Sequence, residues 1–152
     1  MATALDVARH LIKLAAAEEE PEFLSHLKLQ KLLYYVQGWS LALRNKPMFD
    51  ARIEAWSSGP VVRSLYAHFA DYGYRPIPPD DVGEAVGLSG PEKFFIGSVW
   101  EALKGYSASS LRAMTHKEAP WLDARKGLAP AERSNREITR SALKRFFSQQ
   151  AE

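Results

Sequence analysis

The sequence contains no cysteine, and this absence excludes disulfide bonds and thiolate metal sites. It agrees with a reducing compartment, so we expect a cytoplasmic protein. No apolar run approaches the roughly 20 residues that a membrane helix requires, and charged residues interrupt the N-terminus. We therefore expect neither a membrane anchor nor a signal peptide. The 152 residues predict a single domain, residues 1–152, that is large enough to bury a core.

Motifs for catalysis or cofactor binding are also missing. No glycine-rich phosphate loop occurs, and the nearest match to a nucleophile elbow, residues 38–42, lies inside a predicted helix. The four histidines form no pair with metal-ligand spacing, so we expect no metal, no cofactor and no enzyme. An enzymatic alternative would need folding to place His116 beside Glu118, Asp123 or a serine. A structural, hydrogen-bonded His116 is the competing interpretation.

Charge is unevenly distributed along the chain, although the formal net charge is only +2. Residues 1–110 hold 11 basic and 13 acidic side chains, whereas residues 111–152 hold 9 and 5. The basic side chains near the last predicted helix are Arg133, Arg136, Arg140, Lys144 and Arg145. They leave open an alternative function, a nucleic-acid-binding regulator, but a solvated surface explains them as well. The pI of about 8.9 and the lack of helix-turn-helix spacing disfavour DNA binding.

Apolar residues at helical spacing are the main feature that is present. Hydroxyl residues that predict helix N-caps precede four such stripes: Thr3, Ser25, Ser107 and Thr139. The longest predicted helix, residues 26–44, is apolar on two sides and is therefore expected to be central. Pro60 suits the first position of a third helix that ends at Gly73.

Two short segments have strand character. Residues 52–57 alternate between polar and apolar side chains, and Ile138 is expected to pair with the Ile53 segment. Residues 74–90 are rich in proline and glycine and predict a surface loop. The predicted fold class is mainly α, one compact domain of about six helices with a small antiparallel β element.

Four stretches of the sequence together carry a family resemblance: residues 27–39, 53–62 with 65–66, 106–111, and 115–121 with 124–125. Their order and spacing resemble the motifs of the Panacea domain, the family of SocA-like and GepA-like antitoxins. The resemblance extends from about residue 5 to residue 147. It implies an antitoxin that neutralises a cognate toxin through direct protein binding. In the SocA branch it also implies a proteolytic adaptor that delivers the toxin to the ClpXP protease.

Seven residues are candidates for partner contacts: Gln30, Tyr34, Gln37, Leu41, Trp56, His116 and Trp121. The first four lie on one side of the long helix, where they serve either a partner or the interior of the domain. Trp56 precedes the Gly59-Pro60 pair, which is expected to set a sharp turn. His116 and Trp121 either line a shared groove or fix a turn to the core.

Overall fold

The computed structural model describes residues 2–152, which form seven α-helices and three short strands. The helices are α1 (Ala4–Ala16), α2 (His26–Leu43), α3 (Arg63–Phe69), α4 (Gly90–Leu103), α5 (Ala108–Thr115), α6 (Ala119–Ala124) and α7 (Arg140–Gln150). The strands are β1 (Ile53–Trp56), β2 (Gly59–Val61) and β3 (Glu137–Ile138). The mainly helical fold class with a small antiparallel sheet is confirmed.

The predicted N-caps are present because each hydroxyl finds a free amide in the first turn of its helix. Thr3 accepts from the amide of Asp6, and Ser25 accepts from that of Lys28. Ser107 and Thr139 cap α5 and α7 in the same way. Local sequence therefore sets where four of the helices begin.

The sheet has the order β2-β1-β3, and both pairings are antiparallel. Ile53 lies opposite Ile138, which confirms the predicted pairing of these two segments. Pro60, however, was expected to begin the third helix, and this prediction is wrong. It lies in β2 opposite Ala55, and α3 begins at Arg63. The helix begins later because Pro60 is paired within the hairpin and the backbone of Val62 is hydrogen-bonded to the side chain of Gln30 in α2.

Helix α2 lies at the centre of the domain, as its two apolar sides predict. Every residue from Lys28 to Gly38 is buried, and α7 packs along it so closely that Gly38 faces the ring of Phe147. A methyl group at residue 38 would overlap that ring, so this crossing requires glycine. One hydrophobic core extends from Ala2 to Phe147 and joins both ends of the described chain.

The proline- and glycine-rich segment between α3 and α4 runs over the surface and is anchored to α1 by a bond from Arg9 to the carbonyl of Val82, and near α2 by Ile77. Ile77 is fully buried, and its amide donates to the carbonyl of Leu24 at 2.8 Å. A short 3-10 turn follows at Pro79–Asp81. None of the helices within residues 2–152 combines the length and the apolarity that a membrane crossing demands.

Candidate partner-binding site

The turn between β1 and β2 is where three of the four motif stretches meet. Lys31 of α2 donates its ammonium to the carbonyl of Pro60 at 3.2 Å. The indole of Trp121 donates to the carbonyl of Trp56 at 2.8 Å. The turn is thus fixed from one side by α2 and from the other by α6.

Gly59 allows this close approach. Its φ of +117° is a conformation that side chains disfavour, and an added Cβ would lie 2.8 Å from Lys31 Cε and 3.3 Å from Thr115 Oγ1. The glycine therefore lets the strand lie directly against α2 and α5. A residue with a side chain would be strained by this φ and would displace the end of the Lys31 side chain.

Lys31 is buried without a counter-charge. Among the described residues its ammonium has one hydrogen-bond partner, the Pro60 carbonyl, and no carboxylate within ion-pair distance. Burial, with a smaller contribution from the charge of Arg112, lowers the pKa of Lys31 to about 7. Lys31 is not among the residues that the sequence marks as candidates for partner contacts. Its position four residues after Leu27 and three before Tyr34, on an apolar side of α2, was the available signal.

Two histidines, His116 and His26, lie near Lys31 and the turn between β1 and β2. The ring of His116 stacks on Trp121 with 4.0 Å between centroids, and its buried Nε2 has no hydrogen-bond partner among residues 2–152. Burial and then the charge of Arg112 lower the pKa of His116. His26 lies 4.9 Å from the ring of Tyr66, and burial also lowers its pKa. Both rings are therefore neutral at pH 7 and act as part of the aromatic packing.

The carboxylate beside His116 in the sequence serves another purpose. Glu118 accepts hydrogen bonds from the hydroxyls of Tyr34, at 2.9 Å, and Tyr35, at 3.0 Å. Burial raises the pKa of Glu118, and burial followed by the nearby carboxylate raises the pKa of both tyrosines. The three side chains link α2 to the start of α6. Glu118 is therefore not oriented to assist His116 in proton transfer, and sequence reasoning missed this link.

The four candidates on α2 lie in the interior. Gln30 donates to the carbonyl of Val62 and accepts from its amide. Gln37 does the same for backbone groups of Met48 and Phe49. Tyr34 is fully buried and Leu41 nearly so. A partner reaches these side chains only if α2 becomes exposed, which agrees with the interior role considered above.

Trp56 and His116 are the two candidates that keep part of their surface exposed, whereas Trp121 is buried. The indole of Trp56 donates to the carboxylate of Glu54 at 2.8 Å, and its ring packs against Tyr66 with 4.8 Å between centroids. These contacts hold the ring in one orientation. An aromatic side chain that is already fixed loses little conformational entropy when a partner covers it.

Three of the five basic side chains near the last helix, Arg136, Arg140 and Lys144, are engaged within the protein. Arg136 donates to the carbonyl of Lys126, Arg140 pairs with Asp50, and Lys144 is hydrogen-bonded to Asn45. The pair with Asp50 neutralises the charge of Arg140, and the other two contacts hold cations against the protein surface, so fewer of them are free to meet a phosphate backbone. They do not favour the nucleic-acid alternative.

Comparison with known proteins adds a family to this geometry. A family model described as Antitoxin SocA-like, Panacea domain, matches residues 29–122, which is more than half of the chain. Antitoxin SocA of Caulobacter vibrioides (strain NA1000 / CB15N) is 40% identical over 71 residues, covering 47% of this chain and 37% of that protein. The match thus spans little more than a third of the relative's length. No solved structure matches the chain.

Proposed function

The chain belongs to the Panacea-domain family of SocA-like antitoxins, and from this premise we propose that it neutralises a toxin encoded beside it by binding that toxin directly. The family match confirms the resemblance of the four sequence stretches. Family membership suggests a regulatory rather than an enzymatic role and implies a toxin as the partner. The observation that carries the proposal is the match over residues 29–122.

The geometry supports a role in binding. The matched range contains the hydrogen bonds from Gln30 and Trp121 that fix the β1–β2 hairpin, and therefore the position of Trp56. Tryptophan and arginine are the residue types that most often carry the energy of protein interfaces. A preorganised aromatic surface lowers the entropy lost on binding and therefore suits a protein that acts by binding a partner.

A growth assay tests the proposal. The neighbouring gene is expressed from an inducible promoter in a heterologous bacterium, alone and together with this chain. We expect growth arrest in the first case and recovery in the second, with the two proteins recovered as one complex from the second culture. A neighbouring product that is harmless, or that arrests growth equally in both cases, would contradict the proposal.

We extend the proposal to delivery of the toxin to ClpXP, in the cytoplasm, because the SocA branch of the family implies it. The test follows the half-life of the purified toxin with ClpXP, with and without the chain. Faster loss of the toxin only when the chain is present supports delivery. An unchanged half-life limits the function to neutralisation by binding.

A further inference from the structure

An open groove lies beside Trp56, between β1, the start of α3 and the segment before β3. Its volume is about 540 Å³, and its lining includes Trp56, Arg63, Arg133 and Asn135. A second depression of about 660 Å³ shares Glu54, Arg63 and Asn135 with it and continues past Arg52. The two form one elongated surface that is open to solvent.

The groove carries an excess of positive charge. Glu54 is the one carboxylate in its lining, and it is already paired with Arg52 at 3.3 Å and Arg63 at 4.0 Å. Arg133 has no ion pair within residues 2–152, and Arg63 has only that single long contact. The lining thus holds three guanidinium groups and one buried carboxylate, which pairs with only two of them. A guanidinium forms bidentate hydrogen bonds with a carboxylate more readily than a lysine ammonium does.

The groove also has a rigid framework. Trp56 is held by its bond to Glu54, and the side chain of Arg52 donates to the carbonyl of Asn135 at 2.7 Å. That bond fastens the segment before β3 to the edge of β1. The aromatic surface and the backbone that carries Asn135 are thus in place before a partner arrives, which lowers the entropy lost on binding.

From this geometry we infer that the Trp56 groove binds an acidic segment of the protein partner, with a carboxylate against Arg63 and Arg133 and an apolar side chain against Trp56. The inference rests on the proposed function, since the partner is the toxin. Charge complementarity and the aromatic floor favour an acidic protein segment. A nucleic acid would instead require a continuous line of free cations, and the neighbouring Arg136 and Arg140 are engaged elsewhere.

Paired variants test the inference with the toxin encoded by the neighbouring gene as the probe. Arg63→Gln and Arg133→Gln together remove the two guanidinium groups that the inference places against the partner's carboxylate. The control combines Lys46→Gln with Arg145→Gln, which removes the same charge from exposed positions outside the groove. Circular dichroism and thermal unfolding establish that both proteins fold like the wild type. The affinity for the toxin is then measured at 50 and 500 mM NaCl.

We expect the groove variant to bind the toxin at least about tenfold more weakly at low salt, and the control to bind like the wild type. Affinity of the wild type falls more steeply with salt than affinity of the groove variant. If wild type and groove variant bind equally, the groove inference is wrong while the antitoxin proposal stands. Loss of self-association in the groove variant, or loss of binding to a DNA duplex, with the toxin still bound, would overturn the inference in favour of those occupants. If the wild type does not bind the toxin at all, the proposed function itself fails.

Discussion

Replacing Lys31 with methionine tests how much a buried, unpaired ammonium lowers the stability of the protein. The ammonium of Lys31 has one carbonyl partner and no carboxylate near it, and burial lowers its pKa to about 7. Methionine has a similar unbranched shape and fills the same space without a charge. We therefore expect Lys31→Met to fold, and to be at least as stable as the wild type at pH 7.

The size of the effect follows from proton linkage. The unfolded lysine keeps its proton up to a pH of about 10.4, whereas the folded lysine loses it near pH 7. Between these values the unfolded state binds more protons, so the stability of the wild type rises with pH. Between pH 7 and pH 9, the free energy of unfolding of the wild type should therefore rise by about 2 kcal/mol relative to that of Lys31→Met. Burial lowers the pKa values of the neighbouring His26 and His116, so both remain neutral throughout this range.

Urea unfolding at pH 7, 8 and 9, followed by tryptophan fluorescence at constant ionic strength, measures this difference. Lys46→Met is the control because Lys46 is exposed. The difference in free energy of unfolding between the wild type and Lys46→Met should not change with pH. The account of a buried lysine that loses its proton near pH 7 would be refuted in either of two cases. The first is a difference in free energy of unfolding between wild type and Lys31→Met that stays constant from pH 7 to pH 9. The second is a variant that becomes more stable relative to the wild type as the pH rises.

Two further substitutions test the packing around α2. Glu118→Ala should lower the free energy of unfolding by about 2–4 kcal/mol because two buried tyrosine hydroxyls lose their acceptor. Glu118→Gln keeps an acceptor oxygen and should cost less. If Glu118→Ala is as stable as the wild type in thermal unfolding, the link between α2 and α6 is not formed. Gly38→Ala should destabilise the protein by about 1–3 kcal/mol because its methyl group meets Phe147. Gly97→Ala, in an open part of α4, should be neutral or stabilise by about 0.5–1 kcal/mol, and similar values for both glycines would contradict the close crossing of α2 and α7.

Sequence reasoning succeeded where the determinants of structure are local. The caps at Thr3 and Ser25 and the central position of α2 follow from hydroxyl positions and from apolar residues on two sides of one helix. The error at Pro60 has a non-local cause. The amide of Gln30, 32 residues before Val62 in the chain, satisfies the backbone just ahead of α3, and the hairpin retains Pro60 in a strand.

The candidate site was predicted only in part, for the same reason. Trp56 was identified because it belongs to a family motif, and it lies in the groove. The two arginines that line the same groove, Arg63 and Arg133, are 70 residues apart in the sequence. They come together only because the sheet brings their segments side by side. The burial of Gln30 and Gln37 likewise depends on backbone groups outside α2 that their sequence positions do not reveal.

Binding of the purified neighbouring gene product to the purified chain tests the central claim most directly. Isothermal titration calorimetry should show a saturable complex at a defined stoichiometry, and the same complex should restore the toxin's target to full activity. Absence of heat and of a shared peak in size-exclusion chromatography, with both proteins folded, would contradict an antitoxin that acts by direct binding.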